Sequence, residues 1–363
     1  MITAKFSKIA IVYDRVNKFG GAERVLLTLH EMFPTAPLYT SLYDKKKAKW
    51  AGVFPKIYTS FLQNIPILKN HHEFLGWLMP MAFEQFNFDK YDLVISVTSE
   101  AAKGIITGTK TLHVCYCLTP TRYLWTGYDE YFKNPILRTI SKPIINYLRW
   151  WDKVAAQRPD KIIAISTEVQ RRIKEYYDRD SEIIFPPVNI VNYKSQIANH
   201  KLYYLYVGRL VKYKKVDLLV DTFNELGLPL FIVGTGAEEK RLKIRAKNNI
   251  KFLGSVSDSE LVKIYQNAKA FMMPQFEDFG ITAVEAQSFG VPVIAYNNGG
   301  AKDTVVDGKT GILFNDQTKQ SLIDAINRFD TISFNSGYLI INAKRFSKDI
   351  FKENFFNLLK QNI

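Results

Sequence analysis

Cysteine is nearly absent from this chain: two in 363 residues, with only five histidines. That scarcity excludes a disulfide-stapled secreted scaffold and leaves little material for a structural zinc site. No uninterrupted apolar run approaches the roughly 18 residues that a membrane span needs, and the first residues carry no signal-peptide pattern. The expectation is a cytoplasmic protein, with contact at the inner face of the cell membrane left open. Acidic residues are also in the minority, 35 against 49 Lys and Arg, giving +14. A nucleic-acid binder would concentrate that excess, yet residues 1–190 hold 26 basic and 18 acidic side chains (+8) and residues 191–363 hold 23 and 17 (+6). Zinc-finger spacing, a basic helix and an aromatic RNA-binding signature are all missing, so nucleic acid is not expected as a partner. Phosphate-bearing small molecules and anionic phospholipid account for the charge as well. The densest basic patch, Lys45-Lys46-Lys47 with Lys49 and Trp50, reads as a solvated loop.

What is present is hydrophobic content of 47%, enough for more than one core in a chain of this length. Apolar strand-like runs occur at 9–13, 93–97, 112–117 and 162–166, separated by helical stretches such as 21–32. A second series follows at 203–207, 230–233, 251–253, 270–273 and 293–295. Strands of this kind alternating with helices predict α/β domains with parallel sheets covered on both faces. Two prolines in Phe185-Pro186-Pro187-Val188-Asn189 block a helix and remove backbone donors, which marks a linker. The expected division is an N-terminal domain of residues 1–188, a C-terminal domain of 189–345 and a terminal helix of 346–363 that packs back on the first domain. In such sheets ligands gather at the carboxyl ends of the strands.

The most informative segment is Phe276-Glu277-Asp278-Phe279-Gly280-Ile281-Thr282-Ala283-Val284-Glu285-Ala286. Glu277 lies in a loop after an apolar strand, and a helix begins near Thr282, where unpaired backbone N–H groups can meet an anion. Glu285 sits about one turn inside that helix, so its carboxylate returns to the same cavity. A phosphate-binding helix end with two carboxylates suits a ligand bearing both phosphate and hydroxyls, as a nucleotide sugar does.

This segment resembles the Glu-x7-Glu signature of retaining glycosyltransferases of family 4, which have the GT-B architecture. Other segments match in the family's order: Lys8 to Asp14 followed by Gly20-Gly21-Ala22-Glu23-Arg24; Tyr206-Val207-Gly208-Arg209-Leu210 with Lys214; Phe252-Leu253-Gly254-Ser255-Val256; and Gly299-Gly300 with Asp307-Gly308-Lys309-Thr310-Gly311. Cys115 to Trp125 is similar to the bacterial mannosyltransferase-like members that build surface polysaccharide, lipopolysaccharide included. The resemblance implies a GT-B fold of two Rossmann-like domains with parallel sheets facing across a cleft. It implies a hexosyltransferase that needs neither metal nor other cofactor. The donor would be a nucleoside-diphosphate sugar, GDP-mannose or a UDP-sugar, and the acceptor a lipid-linked or polysaccharide glycan, with an anionic membrane as a peripheral partner.

The resemblance also implies residue roles. Glu277 would orient the transferred sugar, while Phe279, Gly280 and Ile281 offer N–H groups to its β-phosphate. Arg209 and Lys214 would neutralise the departing diphosphate, a forked guanidinium and a flexible ammonium supplying what a metal supplies elsewhere. Glu285 would hold the ribose, Gly254, Ser255 and Val256 the base through backbone, and Gly20 and Gly21 would admit the donor without a side-chain clash. Where related chains read Cys-Tyr-Cys-His-Thr-Pro, this one has Leu118. Leucine cannot hydrogen-bond the sugar 6-hydroxyl, which leaves two readings: a 6-deoxyhexose donor, or an ordinary hexose served by Thr119 or water.

Three features imitate other chemistries. Gly234-Thr235-Gly236 lacks the third glycine and the acid of a dinucleotide fingerprint and reads as a strand-to-helix turn. Asp178-Arg179-Asp180 imitates a metal-binding Asp-x-Asp but follows a polar helix-like stretch, so it reads as solvated. His113, Cys115 and Cys117 share one strand face at intervals of about 6.6 Å, too far for a disulfide and poor for a tetrahedral site. The run from Phe74 to Phe83 is apolar enough for a membrane or acceptor contact, but core segments have the same composition and packing in the N-terminal domain is the reading preferred. Competing functions are an epimerase or phosphorylase of the same architecture, and a non-catalytic nucleotide-sugar binder.

Overall fold

The computed structural model describes residues 6–65, 76–190 and 202–361. The chain forms two compact units, one ending at Phe185 and resuming at Phe351, the other Pro186–Ile350. The sequence reading put these passages at 188/189 and 345/346. In the structure the Val188 N–H donates to the Phe346 carbonyl at 2.8 Å and Val188 pairs with Ser347. That bridge ties the start and end of the second unit together.

The first unit holds seven strands: β1 Ile9–Tyr13, β2 Leu38–Thr40, β3 Ile57–Thr59, β4 Leu93–Thr98, β5 Leu112–Cys117, β6 Lys161–Ala164 and β7 Glu182–Ile183. All pairings are parallel, in the order β3-β2-β1-β4-β5-β6-β7. β1, β4 and β5 are buried nearly throughout, so they are predominantly apolar on both faces rather than alternating, with Ser96 and Thr98 in β4 and His113 in β5 as the polar exceptions. The helix Lys348–Gln361 belongs to this unit from Phe351 onward. It buries Phe351, Phe355, Leu358 and Leu359, with the Phe351 ring 5.7 Å from Tyr116.

The second unit repeats the plan with β8 Tyr203–Val207, β9 Leu230–Val233, β10 Ile250–Gly254, β11 Ala268–Met273, β12 Val293–Tyr296 and β13 Gly311–Phe314, ordered β10-β9-β8-β11-β12-β13 and parallel throughout. Tyr204, Tyr206, Ala270 and Met272 enter one core layer; Tyr203, Leu205, Phe271 and Met273 enter the other. In each sheet the strand order reverses between two neighbours, β1/β4 and β8/β11. Loops leaving those two carboxyl ends diverge to opposite faces and leave a crevice in which a ligand can sit.

Strands β2, β3, β7 and β13 escaped the sequence reading. β2, β3 and β7 have two or three residues, too short for an apolar run to stand out from the loops around it, and β13 starts at the last glycine of the polar stretch Asp307-Gly308-Lys309-Thr310-Gly311.

Candidate functional site

In the second unit the reversal point is built from the loops after β8 and β11. β8 ends at Val207, and a Cβ on Gly208 would lie 2.8 Å from the Tyr206 hydroxyl, so glycine is the residue that fits. The loop is anchored by buried Leu210, whose N–H donates to the Thr235 carbonyl at 2.9 Å. It then forms a 3-10 turn, Lys212–Lys214, closed by Lys215 in the left-handed region at φ 53°, an unfavourable conformation for lysine. That turn carries Lys214 back across the sheet end to Glu277, with which it makes an ion pair.

Glu277 is held from three directions. Gln275, nearly fully buried, donates from Nε2 to the same carboxylate oxygen at 2.9 Å. The Glu277 carbonyl accepts from the Gly300 N–H at 2.9 Å. A side chain on Gly299, at φ 60°, would overlap that carbonyl, and one on Gly300 would overlap the backbone of Phe279. The two glycines therefore set how closely the Glu277 loop lies against its neighbour. Gln275 Oε1 is buried with no partner, an acceptor that has lost its water for nothing the protein supplies.

Gly280, at φ 92°, turns the chain into the helix Ile281–Ser288. Only glycine takes that conformation without strain, and it frees the N–H groups of the first turn. The helix is fixed by a buried amide network: Asn342 Nδ2 donates to Gln287 Oε1 at 2.6 Å and to the Thr304 carbonyl at 2.9 Å, and Gln287 Nε2 reaches that carbonyl at 2.8 Å. Glu285, half-buried on this helix, accepts a long 3.4 Å bond from the buried Tyr265 hydroxyl. Phe279 is buried and its ring meets Phe346 at 5.4 Å.

The predicted residues are not all drawn together. Arg209 is exposed, and its guanidinium donates to the Tyr213 hydroxyl at 2.6 Å rather than to Glu277. Gly254 ends β10, at the sheet edge, with φ 68° and its carbonyl accepting from Gly234 N–H at 2.7 Å; Ser255 is exposed and Val256 half-buried. Gly234-Thr235-Gly236 is a strand-to-helix turn pressed against the β8 loop: a Cβ on Gly234 or Gly236 would strike the carbonyl of Gly208 or Leu210. Tyr206, buried beside this site, has its phenol pushed up by burial and then by the Glu277 charge.

In the first unit, Gly20 caps and Gly21 opens the helix Gly21–Met32. Glu23, in its first turn, is buried and accepts from the Tyr13 hydroxyl at 2.7 Å; burial, then that carboxylate, raises the Tyr13 phenol. Asp14 is a structural clasp: its carboxylate accepts from Thr98 Oγ1 and from the N–H groups of Ser99, Ala101 and Ala102 at 2.7–3.0 Å, tying the β1 end to the β4 end. Leu118 follows β5, half-buried, with its N–H on the Thr98 carbonyl at 2.8 Å. Thr119 is buried, and its hydroxyl accepts from Arg172 at 3.2 Å.

Behind this segment lies an arrangement the sequence reading missed. Lys103 and Asp152, both almost wholly buried, pair at 2.5 Å, and Asp152 also accepts from Thr121, Trp125 and Tyr177 at 2.7–2.9 Å. Burial alone would lower the Lys103 pKa, but Asp152 outweighs it and the net shift is upward. No local pattern announces such a pair, because its members are 49 positions apart, from 103 to 152.

The imitations resolve as follows. His113 is buried, bonded through Nε2 to Ser96 at 2.8 Å, and burial followed by Arg158 and Arg179 lowers its pKa to about 3. The Cys115 thiol is pushed up to about 11 by burial, and Cys117 also rises. Among the described residues no His, Cys, Asp and Glu cluster could hold a metal. Asp178 and Asp180 are almost fully exposed and share Lys174 at 3.1 and 3.3 Å. Of the run from Phe74 to Phe83, Phe74 and Leu75 lie outside the described residues; Met79, Ala82 and Phe83 are core, and Trp77 and Met81 are exposed.

Residues 191–345 match the family model of glycosyl transferases group 1. The α-1,3/1,6-mannosyltransferase ALG2 of Dictyostelium discoideum is 24% identical over 97% of this chain and 98% of its own length. An uncharacterized glycosyltransferase of Methanocaldococcus jannaschii is 29% identical over 55% of this chain, a match that spans only 58% of that relative. Among solved structures, the lipopolysaccharide outer core galactosyltransferase WaaB superposes with TM-score 0.70 at 19% identity over 98% of this chain and 100% of its own. Anabaena HepE, solved with UDP, gives 0.72 at 19% over 98% and 100%. Residues 191–345 are thus similar to the group 1 glycosyl transferases, and the fold, two parallel-sheet Rossmann-like units, is that of GT-B structures.

Proposed function

We propose that the protein is a retaining glycosyltransferase, metal-independent, that moves a hexose from a nucleoside-diphosphate sugar, GDP-mannose or a UDP-sugar, to a lipid-linked or polysaccharide acceptor. The observation that carries the reading is the meeting of Lys214 and Glu277 at the β8/β11 reversal, beside the Gly280 turn into Ile281–Ser288. In this reading Glu277 accepts hydroxyls of the sugar and Lys214 lies within reach of the departing phosphate. Arg209 joins it by leaving Tyr213, and the N–H groups of Phe279, Gly280 and Ile281 receive the β-phosphate. Glu285 takes the ribose hydroxyls and Gly254, Ser255 and Val256 the base. HepE, solved with UDP-glucose, supports a UDP-sugar, and the mannosyltransferase relative supports GDP-mannose.

The acceptor is assigned to the first unit; Gly20 and Gly21 keep the donor-binding role, and Leu118 and Thr119 the sugar-pocket role, that the resemblance implies, and surface polysaccharide assembly at the cytoplasmic face of an anionic membrane is the proposed setting. Chemically, the acceptor hydroxyl attacks on the face from which the diphosphate departs, its proton passes to the leaving phosphate, and no protein nucleophile is required. Incubation with GDP-, UDP- and dTDP-sugars, with and without acceptor extract, tests this. Acceptor-dependent release of nucleoside diphosphate is expected. Conversion of donor alone to an isomer, or binding without turnover in any extract, would replace the transferase with an epimerase or a binding protein. Matched 6-deoxy and 6-hydroxy donors, compared in wild type and Leu118→His, decide which sugar Leu118 serves.

A further inference from the structure

The helix Pro135–Ala155 has an apolar face too many. Ile145, Leu148, Trp151 and Ala155 are buried against the first unit, as an amphipathic helix requires. Yet Ile136, Ile140, Ile144, Tyr147, Trp150 and Val154 are also apolar, and they are 39–69% exposed. At 100° per residue these six fall within an arc of about 120°, in a stripe about 27 Å long. Such a continuous exposed apolar ridge marks an interaction surface.

Charge selects the occupant. Lys142 and Lys153 are exposed along the helix edge next to the stripe, Arg138 and Lys133 lie at its N-terminal end, and the helix's one acidic residue, Asp152, is buried on Lys103. Asp129 offsets Arg138 alone. A second copy of the chain would bring two rows of like charge together in a protein of net +14, without acids on the helix to pair them. An anionic surface gains from the flanking Lys142 and Lys153, while Ile, Tyr and Trp suit the boundary between headgroups and acyl chains. Met81 is exposed on the helix Met79–Glu84, whose Glu84 accepts from the Trp151 indole at 2.8 Å, and Trp77, just before that helix, is exposed as well. Among the described residues no helix can cross a membrane, so the contact is one of lying on the surface.

We infer that the exposed stripe of the helix Pro135–Ala155 docks the protein on an anionic phospholipid bilayer, apolar ridge inward and Lys142 and Lys153 at the headgroups. This names the surface for the membrane partner proposed above and is independent of the transfer chemistry. The test is flotation of the purified full chain with vesicles of phosphatidylcholine alone or with phosphatidylglycerol added. Wild type should float with the anionic vesicles and be released by salt. Ile140→Asp/Trp150→Asp, both at exposed positions, should keep the wild-type melting temperature and lose vesicle binding at least about tenfold. Lys142→Glu/Lys153→Glu should weaken it by about fivefold or more per charge. Equal flotation of all variants would overturn the inference. So would a wild type that ignores vesicles but forms a dimer that Ile140→Asp/Trp150→Asp dissolves. Release of nucleoside diphosphate from a soluble donor in the presence of acceptor extract, followed in parallel without vesicles, is expected to be unchanged in both variants; its absence throughout, with vesicle binding intact, would count against the transferase and not against the docking surface.

Discussion

The Lys214 ammonium closes on the Glu277 carboxylate across the carboxyl ends of β8 and β11, and Gln275 donates to the same oxygen at 2.9 Å. A strained Lys215 and the Gly299-Gly300 pair hold the two loops that make this meeting. Charge, loop geometry and helix end thus converge where the strand order reverses.

Glu277→Ala should lower kcat far more than donor affinity, whereas Glu285→Ala should chiefly weaken donor binding. Orientation of the sugar matters at the transition state, while a ribose contact is made equally in ground and transition states. Steady-state kinetics with a titrated donor check this. Near wild-type kinetics for both variants would remove the proposed site.

Chelator should leave turnover almost untouched, and Arg209→Ala should cost about 3 kcal/mol of transition-state stabilisation. The assay is activity after exhaustive chelation, with and without added Mg²⁺ or Mn²⁺. Activity that vanishes and returns with metal would put a cation where Arg209 and Lys214 are placed.

Gly300→Ala puts a methyl group into the Phe279 backbone. Overpacking of this kind should destabilise the second unit by about 3 kcal/mol and displace Glu277, lowering activity even where the variant remains folded. Urea unfolding and donor turnover measure the two effects. A variant with wild-type values in both would show that the loop has room the structure denies.

His113 gives a pH signature. Its folded pKa, about 3, is below the unfolded value near 6.5, so the unfolded chain binds the extra proton. The stability contributed by neutral His113 is complete above the unfolded pKa and is lost as pH falls from about 6.5 toward 3. Wild type should therefore lose more stability between pH 7 and pH 5 than His113→Gln, as measured by urea unfolding at each pH. Equal losses would mean that His113 charges inside the fold.

Much of this was legible in the sequence because the informative residues are local. β1, β5, β8 and β9 are largely apolar runs closed on at least one side by a polar, glycine or proline residue, and the helix Gly21–Met32 starts at a Gly-Gly turn, so their limits were read as they stand. The Glu277 loop and the Gly280 turn were legible because a strand, a glycine and a helix start follow one another within ten residues. What stayed hidden is non-local. Gln275 looks like any loop glutamine until it is found buried against Glu277, and Arg209 cannot be known to face Tyr213 from spacing alone. The stripe on Pro135–Ala155 was available as an i, i+4, i+8 pattern from Ile136. Periodicity, however, marks an apolar face without telling whether it faces core or solvent, and Trp150 and Trp151, adjacent in sequence, proved to be exposed and buried respectively.

The measurement that bears most directly on the central claim is the anomeric configuration of the product. An α-linked nucleotide sugar accepted in the donor screen is incubated with enzyme and acceptor, and the new glycosidic linkage is read by NMR from its one-bond C1–H1 coupling, which separates α from β in manno- as in gluco-configured sugars. Same-face attack, with Glu277 orienting the sugar and Lys214 and Arg209 receiving the diphosphate, predicts an α-linked product that is lost in Glu277→Ala. A β-linked product would contradict it, because inversion demands attack from the opposite face and a protein base that this arrangement does not assign.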